Sequence, residues 1–384
     1  MEDTAVHKGK IHVIENTDSY FEFLRFSLSA TTTTPQNIQA INWKDLFRFG
    51  REQAISGILF EGIKKLPPGT IQDKKLLLQQ AALARNIELR NLRLYATCEK
   101  VTHIYEKAGF NAIILKGQGT TLRYPNILSR TPGDIDLFID GGEKKVLSFI
   151  FDTYGKKLKF NMHHIDMPNI DNVSVEVHFR FAQLRNPFTL NRLNKWFEIQ
   201  QKLKFDCSQT AEVYGQKYHF RTPDLTFNLV YELTHIYNHI MYEGIGMRQL
   251  IDYYMLLQAP DAVSKISVIH HDLKTIGLTN IAGAIMWVLK KTLHLEHNRM
   301  IAPPDARRGK FLLRMVIEGG NFGHYSTNTQ KIRASSHIIA WLHRLRRATI
   351  LLFYFPGEAF FDPWFRIKVK IWKKRMKRQF TEAR

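Results

Sequence analysis

The spacing of apolar residues changes period as this chain proceeds. Over residues 43–65 and 74–108 they recur every three or four positions, which predicts helices. Leu66-Pro67-Pro68-Gly69 stops the first, and Gly109 fits the end of the second. Short apolar runs then appear at 112–115 and 135–139 and read as strands. Gly141-Gly142 precedes a helical stretch over 143–153. Val173, Val175, Val177 and Phe179 alternate with Ser174, Glu176 and His178, the pattern of a strand buried on one side only. After Pro187 helical spacing returns, at 225–241, 248–257, 281–295 and 309–317, with linker candidates at Ala302-Pro303-Pro304 and 319–329. The expected fold class is α+β. A small mixed-sheet domain (106–185) lies between an N-terminal helical region (1–105) and a helical domain (186–335), and a basic, aromatic tail (336–384) follows.

At 384 residues the chain is long for one core, so two or three domains are expected. A 44% hydrophobic and 23% charged composition argues for folded structure over extensive disorder. The net charge of +20 suits nucleic acid, an anionic membrane surface or phosphorylated substrates without choosing among them. Only Cys98 and Cys207 occur, which argues against a disulfide framework and for a reducing, cytoplasmic setting. Met1-Glu2-Asp3-Thr4 has neither the basic flank nor the apolar core of a signal peptide. The most apolar stretch, 348–365, is interrupted by Pro356, Glu358, Asp362 and Pro363, too often to span a bilayer.

Chemistry concentrates between two strands. Leu115-Lys116-Gly117 closes the first, and Arg130-Thr131-Pro132-Gly133-Asp134-Ile135-Asp136-Leu137 opens the second. Side chains alternate along a strand, so Asp134 and Asp136 point the same way and repel unless a cation lies between them. Mg²⁺ is the usual solution, bound by one or two carboxylates plus phosphate oxygens. An isolated Asp-x-Asp is often no more than a solvated pair. Here Gly117 lets backbone approach a phosphate, a helix start after it favours anions, and Glu176 lies on the polar face of a later strand. Three carboxylates from two adjacent strands can hold two divalent ions for an in-line displacement at phosphorus.

This set, with Val175-Glu176-Val177-His178, resembles the uncharacterised nucleotidyltransferases of the polymerase-β-like superfamily. Those carry a Lys-Gly turn, an Arg-x-x-Gly-Asp-x-Asp strand and a later Glu-or-Asp-x-His strand. His235, His239, Arg248 and Asp252 resemble the helical half of that group, and the likeness covers roughly 45–260. It implies that 106–185 is a nucleotidyltransferase-like catalytic domain. Asp134, Asp136 and Glu176 would be its metal-binding and catalytic acids, Glu176 also helping to deprotonate the acceptor. Gly117 would line the triphosphate, with Lys116 and Arg130 on phosphates. The implied cofactor is Mg²⁺, with Mn²⁺ as the other candidate. The substrate would be an NTP such as ATP, and the acceptor a sugar or lipid-linked sugar, a protein, a small molecule or RNA. The chain departs from the superfamily in having Gly117-Gln118 where Gly-Ser or Gly-Gly is usual, and in a longer gap before the acidic pair.

Other residues admit two readings. His163, His164 and Asp166, with His178, could ligate zinc or iron, or could support the site from behind. His235 and His239 share a helix face at i, i+4 but lack the Glu of a His-Glu-x-x-His protease. Arg248 and Asp252, at the same spacing, read as a structural ion pair, and the helical half that carries His235, His239 and Arg248 is expected to pack on the α/β domain and supply acceptor contacts. In the tail, Arg366, Lys368, Lys370, Lys373, Lys374, Arg375, Lys377 and Arg378 interleave with Phe365, Ile367, Val369, Ile371 and Trp372, a pattern for an anionic membrane surface or for RNA. Such a tail would hold the protein peripherally at the inner face of the membrane. Two other classes therefore stay open. One is a catalytically weakened relative that acts as an RNA- or membrane-surface-binding module. The other is a histidine-based phosphohydrolase using His163, His164 and His178.

Overall fold

A computed structural model describes residues 17–155, 158–325 and 337–381. The expectations placed on Met1–Thr4, on the end of the 319–329 linker and on residue 336 lie outside these, as do the side chain of Lys377 and the start and end of the chain. The described residues form an α+β fold of fifteen helices and two sheets, of four and two strands.

The N-terminal helices are α1 (Thr17–Leu28), α2 (Trp43–Glu52), α3 (Ser56–Ile63) and α4 (Lys74–Lys107). The helical pattern over 43–65 is broken in the structure, because Ala54 adopts φ +56°. Gln53 explains the break. Its buried side chain donates to the Val316 carbonyl at 3.0 Å and accepts from the Met247 amide at 2.9 Å, which pins the chain at the corner. In α4 the Asp73 side chain caps the N-terminus by accepting from Leu76, and Gly109, at φ +82°, follows its end. Ala84, Ile87, Asn91, Leu94, Tyr95, Cys98, Val101 and Tyr105 form one buried stripe along α4.

That stripe packs on the four-stranded sheet of β1 (Asn111–Leu115), β2 (Ile135–Asp140), β3 (His164–Asp166) and β4 (Val175–His178). The order is β1-β2-β4-β3, with β2 and β4 parallel and both outer pairs antiparallel. A four-residue turn, α5 (Gln118–Thr121), follows β1, and α6 (Gly142–Tyr154) follows β2. One face of the sheet buries Ile114, Ile135, Leu137, Ile139, Val175 and Val177 in a core shared with α4 and α6.

The opposite face turns toward the second helical region. That region comprises α7 (Pro187–Lys202), the hairpin β5 (Asp206–Val213) and β6 (Gln216–Pro223), α8 (Leu225–Tyr242), α9 (Met247–Leu257), α10 (Ala262–Ile276), α11 (Thr279–Leu293) and α12 (Ala306–Gly319). Its core is continuous with the N-terminal helices and takes in Ile113, Leu115 and Phe138 from the sheet, Phe138 stacking on Phe181 at 3.8 Å. The second face of the sheet is therefore apolar along β1 and at Phe138, and polar at Asp136 and Glu176. That polar patch, closed over by α8, is where the candidate chemistry sits.

The chain ends in α13 (His337–Tyr354), α14 (Pro356–Ala359) and α15 (Asp362–Thr381). The last helix runs back across the α/β part. Met376 enters the sheet core, and Trp372 packs on Phe160 while donating to Glu143 at 3.2 Å.

Candidate active site

The site begins where β1 ends. Lys116 and Gly117 both take positive φ, +38° and +48°. A lysine in that region costs of order 1–3 kcal/mol and persists only where surrounding structure holds it. The return is position: the turn sends the Lys116 ammonium to 2.9 Å from Asp136 Oδ1 and 3.1 Å from His235 Nε2 on α8. An ammonium can only donate, so His235 accepts through Nε2 as a neutral imidazole. Burial and the Lys116 charge hold the His235 pKa well below the ordinary histidine value. The helix after Gly117 is a single turn. Gln118 points away from the site, its Nε2 donating to Asn91 Oδ1 on α4 at 3.1 Å.

Strand register supplies the rest. The parallel pairing sets Asp136 opposite Glu176, and the antiparallel pairing sets Asp166 opposite Glu176 and His164 opposite His178. Glu176 and His178, two residues apart, share the face that carries Asp136. His178 donates from Nε2 to Asp136 Oδ1 at 2.8 Å, so that oxygen serves both Lys116 and His178. Asp136, Glu176 and His178 each bring a ligand atom within 4.8 Å of the others. So do His164, Asp166 and Glu176, and so do His163, His164 and His178. Asp134, half-buried just before β2, belongs to none of these three groups.

The electrostatics follow from crowding. Burial works against ionisation at Asp136, but Lys116 and His178 outweigh it and hold the carboxyl well below its usual range. Lys116 is also opposed by burial, and the Asp136, Asp134 and Glu176 charges still raise it above an ordinary lysine. At Glu176 the Lys116 charge offsets only part of the opposing push. Burial, then Asp136, then Asp134 push its carboxyl up to about 9. Desolvation and then His178 lower His164 to about 3, and burial with His164 and His178 likewise holds His163 well below the usual value.

The remaining candidates are placed as follows. Arg130 is buried and bonded bidentately by Asp252 on α9, Nε–Oδ1 at 2.7 Å and Nη2–Oδ2 at 2.8 Å, with Tyr124 donating to Oδ1 at 2.6 Å. The i, i+4 partner of Asp252, Arg248, instead donates to the Thr131 carbonyl at 3.1 Å beside Gly133, and its buried Nε has no partner. Burial, then repulsion from Arg130, lowers Arg248 to about 10. His239 turns away, its Nδ1 2.8 Å from Glu243. Sequence reasoning passed over Tyr231, which is buried one helical turn before His235 and stacks on it at 6.4 Å. Its hydroxyl pKa is raised by burial first and then by Asp136. The i, i+4 spacing to His235 was the signal available for it.

A mixed sheet with carboxylates on adjacent strands, a Lys-Gly turn beside them and a helical layer behind defines the nucleotidyltransferase class of site. The chain belongs to the uncharacterised nucleotidyltransferase family, whose model matches residues 39–294. No curated protein matches the sequence. Among solved structures, an antigenic nucleotidyltransferase-like protein from Paracoccidioides brasiliensis aligns at 13% identity. The alignment covers 56% of this chain and 95% of that one, at a TM-score of 0.30.

Proposed function

We propose that this chain transfers a nucleoside monophosphate from an NTP to a hydroxyl or phosphate oxygen of an acceptor, releasing pyrophosphate. The observation that supports it most is the pairing of Asp136 with Glu176 on parallel strands, at the end of a Lys-Gly turn and with Asp134 alongside. A divalent cation fits the donor set. Two carboxylates lie within ligand distance of one another, and burial together with the Asp136 and Asp134 charges keeps the proton on Glu176. Hard oxygen donors of this kind suit Mg²⁺ or Mn²⁺. Bound there with the nucleotide, the ion would neutralise charge on the phosphates as the bond to the leaving group breaks.

The protein groups divide the remaining work. Asp136, whose Oδ1 is bonded by Lys116 and His178, and Glu176 would hold the ion, with Asp134 alongside them. Gly117 would let backbone approach the phosphates. Lys116 would neutralise Asp136 when no ion is present and move to a phosphate oxygen when one is. As the acceptor oxygen bonds to the α-phosphorus, the bond to the bridging oxygen of the β-phosphate breaks. A hydroxyl acceptor would give its proton to Glu176, which the bound cation would keep ionised.

The test is pyrophosphate release from an NTP panel with Mg²⁺ or Mn²⁺, across sugar, lipid-linked sugar, protein and RNA acceptors. Asp134→Asn and Glu176→Gln keep side-chain volume and are expected to reduce turnover to background. Wild-type turnover in both would end the proposal.

A second reading, a surface-binding module, is favoured by one observation. Trp364, Ile367 and Ile371 are exposed at 65%, 51% and 64% on a single face of α15, between exposed Lys368, Lys370, Lys374 and Arg375. The two readings are compatible, since a peripheral enzyme at the inner face of a membrane would have both properties.

A further inference from the structure

Beside the carboxylates lies a second cluster that nucleotidyl transfer does not use. The rings of His163, His164 and His178 are in mutual contact, with centroids 4.4 Å (His163–His164), 5.2 Å (His164–His178) and 5.4 Å (His163–His178) apart. One nitrogen from each ring falls within 4.8 Å of the other two. His163 Nε2 is 3.1 Å from His164 Nδ1, and Glu176 Oε2 is 3.4 Å from His164 Nδ1. These separations are close to those between neighbouring ligands of a tetrahedral ion with bonds of about 2.0–2.1 Å.

Hydrogen bonding leaves the cluster incomplete. Each neutral imidazole has one donor and one acceptor nitrogen. His178 spends its Nε2 proton on Asp136, and its buried Nδ1 has no partner; the buried His163 Nδ1 has none either. Buried polar nitrogens are ordinarily satisfied, and a cation held among the rings would satisfy these. With Nε2 bonded to Asp136, His178 would ligate through its free Nδ1, the carboxylate–histidine arrangement that fixes the tautomer and direction of a metal-ligating ring.

We infer that His163, His164 and His178, with Glu176 as the fourth ligand, form a binding site for a borderline transition-metal cation of the Zn²⁺ or Co²⁺ type. It lies next to the carboxylate site and differs from it in chemistry. Three imidazoles select against Mg²⁺, which takes oxygen ligands and octahedral geometry. The inference shares Glu176 with the proposed nucleotidyl-transfer site but does not require that reaction, because the site is complete without nucleotide.

The test is direct titration of the metal-depleted full chain with Co²⁺, without NTP, followed by visible absorption. The expected result is a single tight site with the intense d–d band of four-coordination, persisting in excess Mg²⁺. It should also persist in Asp134→Asn, a variant that separates this site from the nucleotidyl-transfer reading. His163→Ala combined with His164→Ala should abolish the band. Asp136→Asn should weaken binding by about 10–100-fold, the usual cost of losing an outer partner. A weak octahedral spectrum, displacement by Mg²⁺, or a folded double variant that keeps the band would overturn the inference. Should the double variant not fold, X-ray absorption of the wild-type Co²⁺ complex decides: imidazole scattering supports the site and an all-oxygen shell refutes it.

Discussion

Glu176 is the residue whose environment most directly predicts a measurement. Its carboxyl titrates near 9 in the fold against an ordinary 4.5, so between those values the folded chain binds a proton that the unfolded chain has released. A raised pKa of this kind contributes stability below about 4.5 and loses it as pH rises toward about 9. His163 and His164, depressed in the fold, act with the opposite sign but only below their ordinary value of 6.5. Above pH 6.5 the metal-free protein should therefore lose stability with rising pH, at no more than about 1.4 kcal/mol per unit from this group. Glu176→Gln should flatten that slope, and a divalent cation should flatten it in the wild type. Urea unfolding in chelator from pH 6.5 to 9 measures it, and equal slopes in variant and wild type would contradict the assignment. That Glu176 faces Asp136 was legible from alternation along two short strands. Its nearness to His164 was not, because that ring arrives on β3, whose three residues are too few to show any period.

The elements around the site are tied together by an ion pair that is local in neither sequence nor period. Arg130, just before β2, and Asp252, on α9, are 122 residues apart, and both are buried. Sequence spacing paired Asp252 with Arg248, because helix periodicity sees only i, i+4 neighbours, and the phosphate role expected of Arg130 came from the family resemblance. Removing one partner leaves a charge stranded in the core. Asp252→Ala should destabilise the protein by about 3–5 kcal/mol. Arg130→Met with Asp252→Leu should recover much of that loss, since an apolar pair of similar volume avoids the desolvation. The midpoint of denaturant unfolding at unchanged slope tests both, and a double variant no more stable than the single one would show that the pair does more than neutralise itself. The β5–β6 hairpin was missed for a different reason. Its faces mix charge and apolar residues, so alternation is weak, and the signal lay in the turn, where Tyr214 and Gly215 take positive φ as a two-residue hairpin loop requires. The helices at Leu225–Tyr242, Met247–Leu257, Thr279–Leu293 and Ala306–Gly319 were legible because each buries a wide apolar stripe, whereas those at Pro187–Lys202 and Ala262–Ile276 were not singled out.

At the scale of the whole molecule, the net charge of +20 acquires a direction through α15. One side of this helix is docked. Phe365 lies under the Arg185 guanidinium, Trp372 contacts Phe160, and Met376 is in the sheet core. The other side carries Trp364, Ile367 and Ile371 into solvent with lysine and arginine on both flanks, and Phe353 and Phe360, exposed at 63% and 70%, lie near its start. No helix among the described residues is long and apolar enough to cross a membrane. A basic helix with an apolar stripe fits the plane of an anionic bilayer surface better than a phosphate backbone, which rewards charge but gives aliphatic side chains nothing to enter. Each basic residue held near such a surface contributes about 1 kcal/mol. Full-length protein should co-sediment with vesicles containing phosphatidylserine, less with neutral ones, and less again as salt shortens the screening length to about 8 Å at 0.15 M. Trp364→Ser with Ile371→Ser, which leaves every charge in place, should weaken vesicle binding by at least about tenfold, given about 1.5–3 kcal/mol for each large apolar side chain that inserts. If the serine variant binds as tightly as wild type, charge alone is responsible, and RNA becomes the partner that this face fits.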